Sequence, residues 1–140
     1  MEARCQCGLV HFTIPTQKPL ALVVCHCNKC KLITGSVFNI SAVFPYFEFP
    51  PSDLLANVGV YSHKSESGNI MDGYFCKGCG NRMAHTGKED KGWVSVSAVR
   101  IVHFDWKLLE DKELTVHCWT ASAVVPIPEG FRSFEGQPFR

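Results

Sequence analysis

Seven cysteines gathered in three tight clusters constrain this chain more than any other feature. They are Cys5-Gln6-Cys7-Gly8, Cys25-His26-Cys27-Asn28-Lys29-Cys30 and Cys76-Lys77-Gly78-Cys79-Gly80; an eighth, Cys118, stands alone. Cysteines this close rarely bridge each other, because a disulfide needs Cα atoms roughly 4.4–6.8 Å apart with converging Cβ atoms. The same spacing suits thiolates that share one ion. In a reducing compartment such clusters point to metal rather than to disulfides.

The count narrows the chemistry. Tetrahedral zinc takes four ligands, with sulfur at about 2.3 Å. Seven clustered cysteines divide into four plus three. A Cys₄ site is closed and structural, whereas a Cys₃ site leaves its fourth position to water or substrate. The C-x-x-C-G motif of the third cluster is the most specific. Its tight turn brings both sulfurs to one side, and Gly78 and Gly80 allow the positive φ that such turns often need. It still requires a second pair from elsewhere. Cys25, Cys27 and Cys30 can converge on one ion because they are local, which joins Cys5 and Cys7 to Cys76 and Cys79. Spacing also admits a ribbon of Cys27 and Cys30 with Cys76 and Cys79, and leaves both pairings open.

Between the clusters the chain reads as strand. Val10, Phe12 and Ile14 alternate with His11 and Thr13, and Val94, Val96 and Ala98 alternate with Ser95 and Ser97. That is the period of a half-buried strand. Leu20–Val24, Ser36–Phe44, Val58–Tyr61, Gly73–Phe75 and Leu114–Trp119 are similar apolar runs, punctuated by prolines. Helix signals are weak, with single turns expected near Ser52–Leu55 and Asp105–Leu109. Many short strands with Gly/Pro turns predict an all-β domain, taken as residues 1–140, with metal supplying part of the folding energy.

Composition excludes some partners. The net charge is +1 with no basic block, so an electrostatic nucleic-acid footprint is not expected. No apolar run approaches the roughly 20 residues of a bilayer span. Met1-Glu2-Ala3-Arg4-Cys5 opens no apolar stretch of a secretion signal, so a cytoplasmic location is expected.

The ordered motifs resemble one family. Cys5-x-Cys7-Gly8, Cys25-His26-Cys27-x-x-Cys30 and Tyr74-Phe75-Cys76-x-x-Cys79-Gly80 are similar to the glutathione-dependent formaldehyde-activating enzymes, a family that includes centromere protein V. Thr34-Gly35-Ser36, Tyr61-Ser62-His63-Lys64-Ser65 and Gly68-Asn69 agree, and the match runs from Cys5 to Phe134. The resemblance implies a β-tent of short antiparallel sheets with two zinc ions. It implies a structural zinc on Cys5, Cys7, Cys76 and Cys79, and a reactive zinc on Cys25, Cys27 and Cys30. It also implies a carbon–sulfur lyase reaction, joining a thiol such as glutathione to a small aldehyde such as formaldehyde. A non-catalytic zinc module and a zinc enzyme acting on another carbonyl compound are the competing classes.

Other residues weigh less. Cys118 sits in an apolar strand and reads as core filler, since free cysteine is among the most buried residue types. His26, between two cysteine ligands, is expected to support the site rather than ligate. His63, His85 and His117 could each act as a base near neutral pH, but spacing places none of them in the site. Lys29, Lys31, Lys64 and Arg82 could meet the carboxylates of a glutathione-like ligand, and read first as surface charge. Leu32, Ile33, Val37 and Phe38 around the second cluster would suit a bulkier substrate, and the aromatic-rich stretch from Val37 to Phe49 could line its pocket or form a core strand.

Overall fold

A computed structural model describes residues 1–138. In chain order the elements are β1 (Glu2–Arg4), β2 (His11–Thr13), β3 (Ala21–Cys25), α1 (Asn28–Thr34), β4 (Asn39–Pro45), β5 (Val58–Lys64), β6 (Ile70–Cys76), β7 (Arg82–Gly87), β8 (Trp93–Ser97), β9 (Thr115–Cys118) and β10 (Arg132–Ser133). The class is all-β with little helix, as the alternating patterns predict. Expected turns near Ser52 and Asp105 are 3₁₀ turns, Ser52–Leu54 and Trp106–Glu110. The run that begins at Trp93 leaves the sheet at Ser97, and Ala98–Arg100 is a 3₁₀ turn. No helix among the described residues is long and apolar enough to cross a membrane.

β1 and β2 form a two-stranded antiparallel sheet, and the other strands form one sheet in the order β10-β9-β3-β4-β8-β7-β6-β5. Most pairings are antiparallel, as the resemblance implies, but β9 lies parallel to both β3 and β10. Parallel neighbours need a crossover of roughly a dozen residues or more, and the stretch from Trp119 to Phe131 separating β9 from β10 has that length.

The two faces of the large sheet differ in chemistry. On one face Leu22, Ala42, Val96 and Ala84 stand opposite one another across β3, β4, β8 and β7. All are buried, and with Phe44, Val94 and Met83 they make the core. Burying a side chain such as Leu22 or Phe44 contributes about 1.5–3 kcal/mol. The small sheet covers this core with Ala3, Phe12 and Ile14, and Phe12 meets Phe49 edge-on with ring centroids 4.9 Å apart. On the opposite face the matching rows are Val23–Ser41–Ser97 and Val43–Ser95–His85–Gly73–Tyr61, with Cys25 opposite Asn39 one step along. Asn39, Ser41 and Ser95 are buried although polar.

A β-bulge joins the two faces. Tyr74 pairs with Ala84 and Phe75 with Arg82, so Met83 is the extra residue of β7. A bulge shifts the alternation of one strand by a residue. Met83 accordingly enters the core at 0% exposure, and Arg82 turns to the polar face.

Candidate metal centres

Two groups of sulfurs stand out. The first combines Cys5, Cys7, Cys76 and Cys79, whose Sγ atoms all lie within 4.8 Å of one another. Each pair sits in a tight turn. Cys5 and Cys7 occupy the β1–β2 connection, closed by Cys5 N–H to Val10 O (3.0 Å) and Gly8 N–H to Cys5 O (3.2 Å), with Gly8 at φ 81. Cys76 ends β6, and Gly80 N–H donates to its carbonyl at 2.8 Å, with Gly80 at φ 77. Gln6 N–H donates to Asn81 Oδ1 at 2.7 Å and ties the two turns together. Backbone N–H groups converge on the sulfurs: Val10 on Cys5 at 3.3 Å, Leu9 on Cys7 at 3.5 Å, and Gly78 and Cys79 on Cys76 at 3.3 and 3.5 Å.

The donor set fits a tetrahedral ion. Cys5 Sγ is 3.6 Å from Cys7 Sγ, which is 3.7 Å from Cys76 Sγ. A disulfide would require about 2.05 Å. Four sulfurs at about 2.3 Å from a tetrahedral zinc stand about 3.8 Å apart, the spacing of this cluster. Electrostatics agree. Backbone N–H groups of Asn81 and Cys7 bring the Cys79 thiol down to about 6. The Leu9 N–H favours the Cys7 thiolate, yet burial and the sulfurs of Cys5, Cys76 and Cys79 push that thiol up to about 11. A divalent cation relieves this repulsion between thiolates.

The second group is Cys25, Cys27 and Cys30, again with every Sγ within 4.8 Å. Cys25 ends β3. Cys27 is the N-cap of α1, where its sulfur accepts from Cys30 N–H at 3.3 Å. Gly35, in the left-handed region at φ 66, ends the helix by donating to Lys31 O. This turn of helix is what gathers the three thiols. The spacing does not predict the helix, because it buries no residue and so shows no apolar stripe. Cys118, opposite Cys25 in the parallel β3–β9 pair, is 3% exposed and lies outside the group of three. With Cys27 and Cys30 it holds the Cys25 thiol well below its ordinary range, and Cys118 is the largest influence.

Other predicted residues divide by face. His26 is 1% exposed, points to the core side, and its Nε2 lies 3.1 Å from His117 Nδ1. Val24, Phe38, Ile40, Phe131 and the two histidines line a cavity of about 230 Å³ there. Lys31 Nζ donates to Ser122 O at 2.5 Å, away from the sulfurs. Lys29 Nζ donates to Lys64 O, so α1 reaches the end of β5. Arg82, His85, Tyr61 and His63 lie on the face that carries Cys25. Burial, then the Arg82 charge, brings the His85 imidazole down to about 4, while Cys25 acts in the opposite direction. Sequence spacing misses His85 because β7 shows no period-2 pattern.

The fold and its donor sets define a class: a small β-protein built round two cysteine clusters that can each hold a metal ion. A family model, "Glutathione-dependent formaldehyde-activating enzyme", matches residues 1–122, and the chain belongs to that family. A crystal structure of a Rhodobacter sphaeroides protein is similar in fold, with TM-score 0.60 and 16% identity over 96% of this chain and 99% of that one. Comparison with curated proteins gives no match.

Proposed function

We propose that the chain binds two zinc ions and forms or cleaves a thiol–aldehyde adduct at Cys25, Cys27 and Cys30. Cys5, Cys7, Cys76 and Cys79 hold the structural ion in a complete set of four sulfurs. The observation that carries the reading is the incomplete set of three sulfurs at the second group. A zinc ion held by three thiolates favours a fourth sulfur and keeps a coordinating thiol deprotonated. Family membership supports glutathione as the thiol and formaldehyde as the aldehyde.

The chain's own groups supply position and proton control. Cys27 and Cys30 are locked by the first turn of α1, and Cys25 by its register with Asn39 and Cys118. Holding two reactants in one geometry replaces an encounter in solution, which lowers the barrier substantially. In the forward direction the substrate's sulfur forms a bond to the aldehyde carbon as the carbonyl π bond breaks. The proton lost from the thiol is balanced by one gained at the new hydroxyl; cleavage runs the same steps in reverse. His85 is neutral at pH 7 and stands on the same face, where it can pass that proton.

Exchange spectroscopy on glutathione and formaldehyde near equilibrium tests the reading. Catalytic amounts of protein are expected to accelerate exchange, and Cys27→Ser to abolish the acceleration while one metal ion stays bound. Equal rates for both proteins would overturn the enzyme assignment in favour of a zinc-stabilised binding module.

A further inference from the structure

The polar face of the large sheet carries a guanidinium that no catalytic step above uses. Arg82 reaches this face only because Met83 is the extra residue of the bulge; regular alternation would have put Arg82 on the core side with Ala84. Its head lies flat on Gly73. A Cβ built at that glycine would stand 2.1 Å from Arg82 Nη1 and 2.4 Å from Cζ, so no side chain fits there without moving the guanidinium. Two local devices, an extra residue and a glycine, therefore serve to place this one group.

Arg82 is half-buried, and among the described residues no acceptor meets its guanidinium. Among the described residues the one ion pair is His11 with Glu2, on the small sheet. Asp72, on the neighbouring strand β6, lies in the row of Ser62 and Thr86 on the other face and takes a hydrogen bond from Ser62. The basic side chains that share its face are His85 on its own strand and His63 on β5, with Lys29 of α1 reaching the end of β5 at Lys64. Burying a charge is costly unless it is paired, so a half-buried guanidinium set among other bases suits an anion that arrives from outside. Lys29, between Cys27 and Cys30, donates to Lys64 O at the end of β5, three residues from Tyr61, which pairs with Gly73, so α1 and the three-sulfur group approach the face that carries the guanidinium.

Resting on the function proposed above, we propose that Arg82, seated on Gly73, is a carboxylate-binding subsite for the thiol substrate. The substrate class is then a thiol that also carries a carboxylate. The planar fork of arginine matches a carboxylate with two parallel N–H···O bonds, which lysine cannot reproduce.

The test uses full-length protein loaded with cobalt and two probes, 3-mercaptopropionate and 2-mercaptoethanol. Each is titrated while the thiolate-to-cobalt bands are read, in wild type, Arg82→Gln, Arg82→Lys and Gly73→Ala. Comparing the ratio of the two dissociation constants between proteins cancels the difference in basicity of the two sulfurs. Arg82→Gln is expected to reduce the preference for the carboxylate thiol by about tenfold, the worth of a charge-assisted hydrogen bond. Arg82→Lys should keep part of it. Gly73→Ala, which displaces the guanidinium without removing it, should lose as much as Arg82→Gln. Near-ultraviolet circular dichroism checks that each variant is folded. If Arg82→Gln weakens both thiols equally, Arg82 is only a counter-charge to the metal centre and the subsite is overturned. If neither thiol changes the bands of wild type, the thiol reading itself falls and the subsite with it.

Discussion

Replacing one cysteine in each group should have very different consequences, and the chain path gives the size of the difference. Cys7 and Cys76 are 69 residues apart in sequence, with sulfurs 3.7 Å apart. A cross-link that closes such a loop removes about 4 kcal/mol of unfolded-state entropy at 25 °C. The second group closes only the short loop from Cys25 to Cys30, worth about 2 kcal/mol on the same scale. A domain of this size has about 5–15 kcal/mol of stability in all. Cys76 is also fully buried, and its sulfur receives two backbone N–H groups. Metal bound only by the folded state adds its binding energy to stability, so losing the long-range site removes more than the loop term. Cys76→Ser is therefore expected to yield insoluble or molten protein, and Cys27→Ser a folded protein with about one metal ion. The assay is urea unfolding followed by near-ultraviolet circular dichroism, with metal content measured on the same samples. If Cys27→Ser unfolds the chain as badly as Cys76→Ser, the division into a structural and an open site is wrong.

Three further expectations follow from single observations. Protein purified without added zinc should carry between one and two equivalents of the metal; a value near zero in folded, soluble protein contradicts both sites. Cys118→Ser should leave metal content unchanged, because Cys118 lies outside the group of three sulfurs, and loss of one equivalent would make it a ligand. Burial holds the His85 imidazole down to about 4, against 6.5 for the free group. The folded chain stays neutral there while the unfolded chain binds a proton, so the contribution is complete above pH 6.5 and is lost as pH falls towards 4, by about 3 kcal/mol at most. Unfolding midpoints of wild type and His85→Gln should diverge across that window, and parallel profiles would refute the burial argument.

What the sequence discloses depends on how far its local pattern survives folding. β2, β3, β4, β5, β8 and β9 all begin in runs whose apolar residues recur at strand spacing, and each is legible for that reason. The three cysteine clusters are equally plain, because metal-ligand spacing is local. Their grouping is not local: Cys5 and Cys7 meet Cys76 and Cys79 only once β1 and the end of β6 are folded side by side, and spacing alone also permits the ribbon. α1 escapes notice for the opposite reason, since it is held by the Cys27 cap and Gly35 rather than by an apolar stripe.

β7 is the most instructive miss. Its burial runs in doublets, Met83 with Ala84 and Thr86 with Gly87, and the first arises because an extra residue breaks the alternation at the strand's start. A reader who assumes strict period 2 would set Arg82 and Ala84 on one face, inside the core, and would then reject the strand because a core arginine is forbidden. The bulge removes the contradiction: Ala84 faces the core, Met83 fills the gap behind it, and Arg82 crosses to the face that carries Cys25. Period-2 reading fails where the backbone departs from regular pleating, and here that departure places a cation on the face that carries Cys25. The residue least legible in the pattern is thus the one whose position the fold has gone furthest to specify.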